Sequence, residues 1–107
     1  MLYQLIVYVP TTHAEELKQA LFNAGAGDYE KYDQCSWETH GTGQFRPLEG
    51  SNPAIGRHNV VEKVEEVKIE MVCKREKIKE ALDALKETHP YEEPAYGVIT
   101  MKTLEDF

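Results

Sequence analysis

The chain has 107 residues, 41% of them apolar, with twelve basic residues against nineteen acidic ones for a net charge of −7. That suffices for one hydrophobic core, and no apolar run approaches the ~18 residues a membrane span needs. The acidic balance argues against a nucleic-acid partner, whose phosphates it would repel, and two distant cysteines outside any C-x-x-C spacing point to reduced thiols rather than a disulfide framework.

Met1 leads directly into the strand-like LYQLIVYV, without a basic leader or a small-residue cleavage site, so a cytoplasmic protein is expected. From Leu2 to Val9 both parities are apolar, with Leu2, Ile6 and Tyr8 on one face and Tyr3, Leu5, Val7 and Val9 on the other. Such a segment reads as a central strand, ended by Pro10. A helix follows. Thr12 and Glu15 have capping-box spacing, Leu17, Ala20, Leu21 and Ala24 make one apolar face, and Gly25 suits the C-terminal cap. Tyr32, Asp33, Cys35, Ser36, Trp37 and Thr39 suit a strand within Tyr29 to Thr39.

From Gly41 to Gly56 the pattern stops. This stretch holds four of the seven glycines and two of the five prolines, and it is expected to be a long loop. Structureless loops of this length in small domains are usually functional or disordered. Phe45, Leu48 and Ile55 offer anchors that argue against simple disorder. Val60 to Cys73 carries the longest strand signal, with Val67, Ile69, Met71 and Cys73 alternating with Glu66, Lys68 and Glu70. Its first part, Asn59 to Glu65, reads as a separate strand or a bent extension. The spacing of Ile78, Ala81, Leu82 and Leu85 predicts a second helix over Lys74 to Thr88, stopped by Pro90, and Tyr96 to Thr103 reads as the last strand.

The order β, α, β, long loop, β, α, β is the split β-α-β arrangement of an α+β, ferredoxin-like sandwich: an antiparallel sheet with two helices on one face. The other sheet face is left open, carrying one of the two apolar sets of the first strand, and an exposed apolar face predicts self-association.

Two motifs carry a resemblance. AGAGDYEKYDQCSWETHGTGQFRPLEGSNPAIG, from Ala24 to Gly56, and HPYEEPAY, from His89 to Tyr96, together resemble the small domain inserted in YqfO-type proteins of the NGG-one-interacting-factor family. The chain is similar to a stand-alone version of that domain, a single unit over residues 1–107 with its Gly/Pro loop at 41–57. The inserted domain is similar in fold to the CutA and PII proteins. The resemblance therefore implies a homo-oligomer, with a trimer favoured. It also implies that the family's two-metal site, and the type-2 GTP cyclohydrolase activity attached to some members, lie in flanking domains and are not to be carried over.

The candidate site residues follow from these readings. Glycines let backbone approach a ligand closely, and Arg46 and Arg57 make the loop locally basic in an acidic protein. In PII proteins a comparable loop helps to hold nucleotide at a subunit boundary. Gly41, Thr42, Gly43, Arg46 and Arg57 are thus expected to contact a small anionic ligand, unless the loop merely folds back on its own sheet or meets a protein partner. No cofactor is implied with certainty. The alternative of a different class is a divalent-metal-binding protein. His40 and His58 flank the loop, Cys35 precedes it, and His89 is a further ligand type, although none of them pair at zinc-site spacing. A third reading is a structural assembly module for a metal-dependent hydrolase of the same family. HPYEEPAY has a plainer account: His89-Pro90 ends the helix, Tyr91 packs, and Glu93-Pro94 holds the chain extended before the last strand. Cys73 falls on the apolar parity and reads as a small core residue, Cys35 lacks an evident relay partner, and no catalytic residue is expected.

Overall fold

A computed structural model describes residues 1–107. It contains β1 (Leu2–Pro10), a 3-10 turn (Thr11–His13), α1 (Ala14–Asn23), β2 (Trp37–Phe45), β3 (Glu62–Lys74), α2 (Arg75–Thr88), β4 (Tyr96–Met101) and a final 3-10 turn (Leu104–Asp106). The strands form one antiparallel sheet in the order β2-β3-β1-β4. This is the ferredoxin-like order, with the two most apolar strands central and both edges open.

The odd-numbered side of the central strands faces the helices. Leu5, Val7 and Val9 of β1 and Val67, Ile69, Met71 and Cys73 of β3 are buried against Ala14, Leu17 and Leu21 of α1 and Ala81 and Leu85 of α2. Each fully buried leucine contributes roughly 1.5–3 kcal/mol relative to exposure. Of the two candidate open sets of β1, the structure selects Leu2, Ile6 and Tyr8.

Four expectations are corrected. Residues 41–45 are not loop: GTGQF completes β2, paired from Gly41↔Glu66 to Phe45↔Glu62. Glycine weakens a strand without forbidding it, and β3 supplies a continuous ladder. The second strand, conversely, does not begin near Tyr29. Tyr29 and Tyr32 exchange backbone bonds of 2.8 and 2.9 Å across a reversal, with Glu30 at φ 52° and Gln34 at φ 55°. β3 is one unbroken strand from Glu62, its first residues paired with β2 alone. The capping box of α1 is not formed. The Thr12 hydroxyl bonds His13 Nδ1 at 3.0 Å, and a 3-10 turn delays the helix to Ala14. The expected C-cap holds, with Gly25 at φ 104°.

Candidate functional site

Three regions gather functional groups. The first is the connection that succeeds β2. Its neck is closed where the Asn59 N–H donates to the Pro47 carbonyl at 2.7 Å, so residues 46–61 form a compact Ω-type loop. Inside it, the Ser51 hydroxyl donates to the Leu48 carbonyl at 2.6 Å, and His58 Nε2 lies 2.9 Å from the Ser51 carbonyl, to which it donates. The tip is tethered where the Asn52 N–H donates to Glu92 Oε2 at 3.1 Å. Arg46 and Arg57 sit at the neck, both exposed, and none of the ion pairs of the molecule uses either.

The second region lies behind that neck. His89 is only 6% exposed. Its Nε2–H donates to the Tyr8 carbonyl at 2.7 Å, and its Nδ1 accepts the Tyr91 N–H at 3.1 Å, which fixes one neutral tautomer. Burial depresses its pKa below the ordinary value of 6.5, and a repulsive contribution from His13 adds to this. The Tyr8 carbonyl and the Glu66 carboxylate oppose the shift without reversing it. The Tyr91 hydroxyl donates to Glu66 Oε2 at 2.8 Å, and its ring meets Phe45 edge-on at 5.6 Å. Burial and the bond to Glu66 push the phenol well above its usual pKa. Glu66 reaches across Gly43, where a β-carbon would collide with the carboxylate. Gly43 is therefore a place where a side chain crosses the strand, rather than a flexible joint.

The third region is the open sheet face. Leu2, Gln4, Ile6 and Tyr8 share it with Glu66, Lys68, Glu70 and Val72 of β3, with Ile99 and Met101 of β4, and with Trp37 of β2. It is amphipathic rather than uniformly apolar, because β3 lays a charged stripe beside the apolar residues of β1 and β4, with Trp37, Thr39 and Gly41 of β2 on its other side. Trp37 is 68% exposed and Ile99 51%.

The expected ligand residues fall into two groups. Gly41, Thr42 and Gly43 lie on the edge strand, beside a shallow cleft shared with Tyr8, Glu66 and Lys68, whereas Arg46 and Arg57 lie at the loop neck. The expected metal ligands do not converge. No group of three or more His, Cys, Asp or Glu side chains is placed to hold a metal ion. His40 is exposed on β2, Cys35 Sγ is directed at the Asp33 carbonyl, His58 is committed to Ser51, and both nitrogens of His89 are engaged. Cys73 is buried, and desolvation, aided by the Asp28 charge, raises its thiol pKa.

No family model matches the chain. Over 97 residues, 91% of this chain, it is 45% identical to a Halalkalibacterium halodurans protein named GTP cyclohydrolase 1 type 2 homolog, of which it covers 26%. A protein of the same name from Bacillus subtilis is 41% identical over 97 residues, again covering 91% of this chain and 26% of that protein. Among solved structures, a Bacillus cereus protein related to NIF3 superposes with a TM-score of 0.81 and 38% identity, over 95% of this chain and 26% of that one. The divalent cation tolerance protein CutA from Archaeoglobus fulgidus superposes with a TM-score of 0.68 and 20% identity, over 96% and 86% of the two chains.

The chain has a NIF3/CutA-like fold. It spans about a quarter of the length of the curated relatives it matches. No helix is long and apolar enough to cross a membrane. Within the NIF3/CutA-like frame, sequence reasoning missed the partnership of Tyr91 with Glu66 and the Lys18–Glu38 ion pair that ties α1 to β2. Burial alone would lower the Lys18 pKa, but hydrogen bonds to Glu15 and Glu38 outweigh it and the ammonium is held above its usual range. The available signal for the first pair was Glu66 on the wet parity of β3. For the second there was none, since Lys18 and Glu38 are linked only through tertiary packing.

Proposed function

We propose that this chain is a non-catalytic, homo-oligomeric sensor or regulatory domain that binds a small anionic ligand, or a protein partner, at a boundary between copies. The observation that carries the reading is the sheet face left uncovered by helices, with Leu2, Ile6, Tyr8, Ile99 and Met101 on adjacent strands. Burial of such borders against sister copies, with a trimer favoured, removes apolar surface from water at about 25 cal/mol per Å². The ligand is assigned to the unpaired Arg46 and Arg57 at the loop neck, with the open backbone edge of Gly41, Thr42 and Gly43. Two exposed guanidinium groups without carboxylate partners, at the neck of a glycine-rich loop, support this assignment.

Sedimentation velocity at micromolar concentration tests the assembly, and thermal shift with nucleotides and inorganic phosphate tests the ligand. A stable monomer overturns the first part. A melting temperature unmoved by every anion, or moved equally in an Arg46→Ala/Arg57→Ala double variant, overturns the second. The divalent-metal reading, which fits the name of the divalent cation tolerance protein CutA, is less favoured because the candidate ligands lie apart within one chain. As one segment of its longer relatives, the chain also suits a role in assembling a NIF3-type enzyme.

A further inference from the structure

At the sheet end where β1 begins and β4 finishes, the open face sinks into a cleft of about 500 Å³, lined by Trp37, Tyr29, Met101, Val72, Gln4 and Glu70 among others. That volume lies in the range of small-molecule sites, roughly 300–1,000 Å³, in a cleft wide open to solvent, and it lies at the opposite end of the β2–β3 ladder from the loop neck. The walls are apolar and aromatic. The polar end is built from two groups. Gln4 Nε2 donates to Glu70 Oε1 at 2.8 Å, and Lys68 Nζ stands 3.8 Å from the same oxygen. These contacts leave Glu70 Oε2 and the Gln4 side-chain carbonyl as unused acceptors beside an exposed indole. We propose that this cleft binds a flat, nitrogen-rich organic cation, of the amidine or amino-heterocycle class, stacked on Trp37 with its N–H donors on Glu70 and Gln4.

The chemistry follows from the partners. A carboxylate oxygen with an open lone pair prefers a charged N–H donor, and a planar cation gains further on the face of tryptophan. An anionic ligand is disfavoured by Glu70 and by the net charge of −7, since the nearby Lys68 ammonium sits on Oε1 and leaves Oε2 facing the ligand as an acceptor. Leu2 and Met101 belong both to this cleft and to the apolar face assigned above to contacts between copies, so the cleft takes its ligand only where that end of the sheet stays uncovered in the assembly; the Arg46 and Arg57 contact at the loop neck is separate from it.

The cleft contains two built-in reporters. Trp37 is the single tryptophan of the chain. Cys35 also lines the cleft and is half-buried, whereas Cys73, the other thiol, is fully buried. The experiment titrates the full chain with aminobenzimidazole, a cyclic guanidine, while following Trp37 fluorescence and the rate of Cys35 alkylation. Benzimidazole, the same rings without the amino group, and an indole carboxylate serve as controls. Saturable quenching with matching protection of Cys35, on the order of millimolar for so small a probe, is expected. Glu70→Gln, isosteric and uncharged, should weaken it about tenfold, and Trp37→Phe should weaken the protection of Cys35. Equal effects from the controls, indifference to Glu70→Gln, or no saturation overturn the assignment. Signals that follow protein concentration instead of probe concentration show the cleft closed by a second copy, which overturns this inference while leaving the oligomer intact.

Discussion

Replacement of His89 by alanine tests how the HPYE segment is held. The imidazole bridges two backbone groups from distant parts of the chain, the Tyr8 carbonyl at 2.7 Å and the Tyr91 N–H at 3.1 Å, at a site 6% exposed. Alanine leaves both unsatisfied. Each such loss costs about 1–3 kcal/mol, and water entering the vacated volume recovers part of it, so His89→Ala should destabilise by about 2–4 kcal/mol at neutral pH. The cost depends on pH in a definite direction. The folded-state pKa of His89 lies below its unfolded value of 6.5. Between those two values the unfolded chain binds more protons, so stability falls with decreasing pH, by at most about 1.4 kcal/mol per unit for one group. Above the unfolded pKa the full contribution is present. The gap between wild type and His89→Ala should therefore narrow on acidification. Urea melts at about pH 8, 6.5 and 5 measure it, with the other three histidines and the carboxylates common to both proteins. A gap that stays constant across this range, or one below about 1 kcal/mol at neutral pH, would refute the assignment of a neutral, doubly bonded imidazole.

Further outcomes follow from the same geometry. Tyr91→Phe removes the hydroxyl held by Glu66 and should cost about 1–2 kcal/mol in a denaturant melt, while Gly43→Ala, which displaces that carboxylate, should cost less in the Tyr91→Phe background than in wild type. A double-mutant cycle on Lys18→Met and Glu38→Gln should return a coupling of about 1–2 kcal/mol, since Lys18 retains only 15% of its side-chain exposure; additivity would show the pair to be idle. Gly27→Ala should destabilise by more than about 1 kcal/mol, because φ is +83° and the new carbon meets Phe22 and the Cys35 carbonyl. In native thiol titration one cysteine should react readily and Cys73 only on unfolding; two fast thiols would contradict its burial.

The sequence made the core legible and the surface chemistry much less so. α1, α2 and the second half of β3 announced themselves through periodicity, because apolar residues placed at the period of a helix or a strand bury one face wherever they occur, and β1 announced itself as a short run apolar on both parities. GTGQF misled because glycine content reports intrinsic preference, whereas an edge strand needs only a partner ladder, and Glu62 to Glu66 supply it. The cap at Thr12 failed because His13 competes for its hydroxyl, a local contest that spacing cannot weigh. His89 looked like a metal ligand by residue type. Only the fold shows the Tyr8 carbonyl, 81 residues away in sequence, occupying one nitrogen. Trp37 and Cys35 share one stretch of sequence, but Gln4 and Glu70 come from other strands, and no pattern within one segment joins the four.

The fastenings of the 46–61 loop differ in strength. The neck is stitched by main-chain contacts such as Asn59 to Pro47, next to the β2–β3 ladder, but the far end hangs from a solvent-exposed bond between Asn52 and Glu92. An exposed link of that kind is worth about 0.5–1.5 kcal/mol. The tip is thus joined to the crossover before β4 by a single exposed hydrogen bond, whereas its neck shares in the hydrogen bonding that continues the sheet.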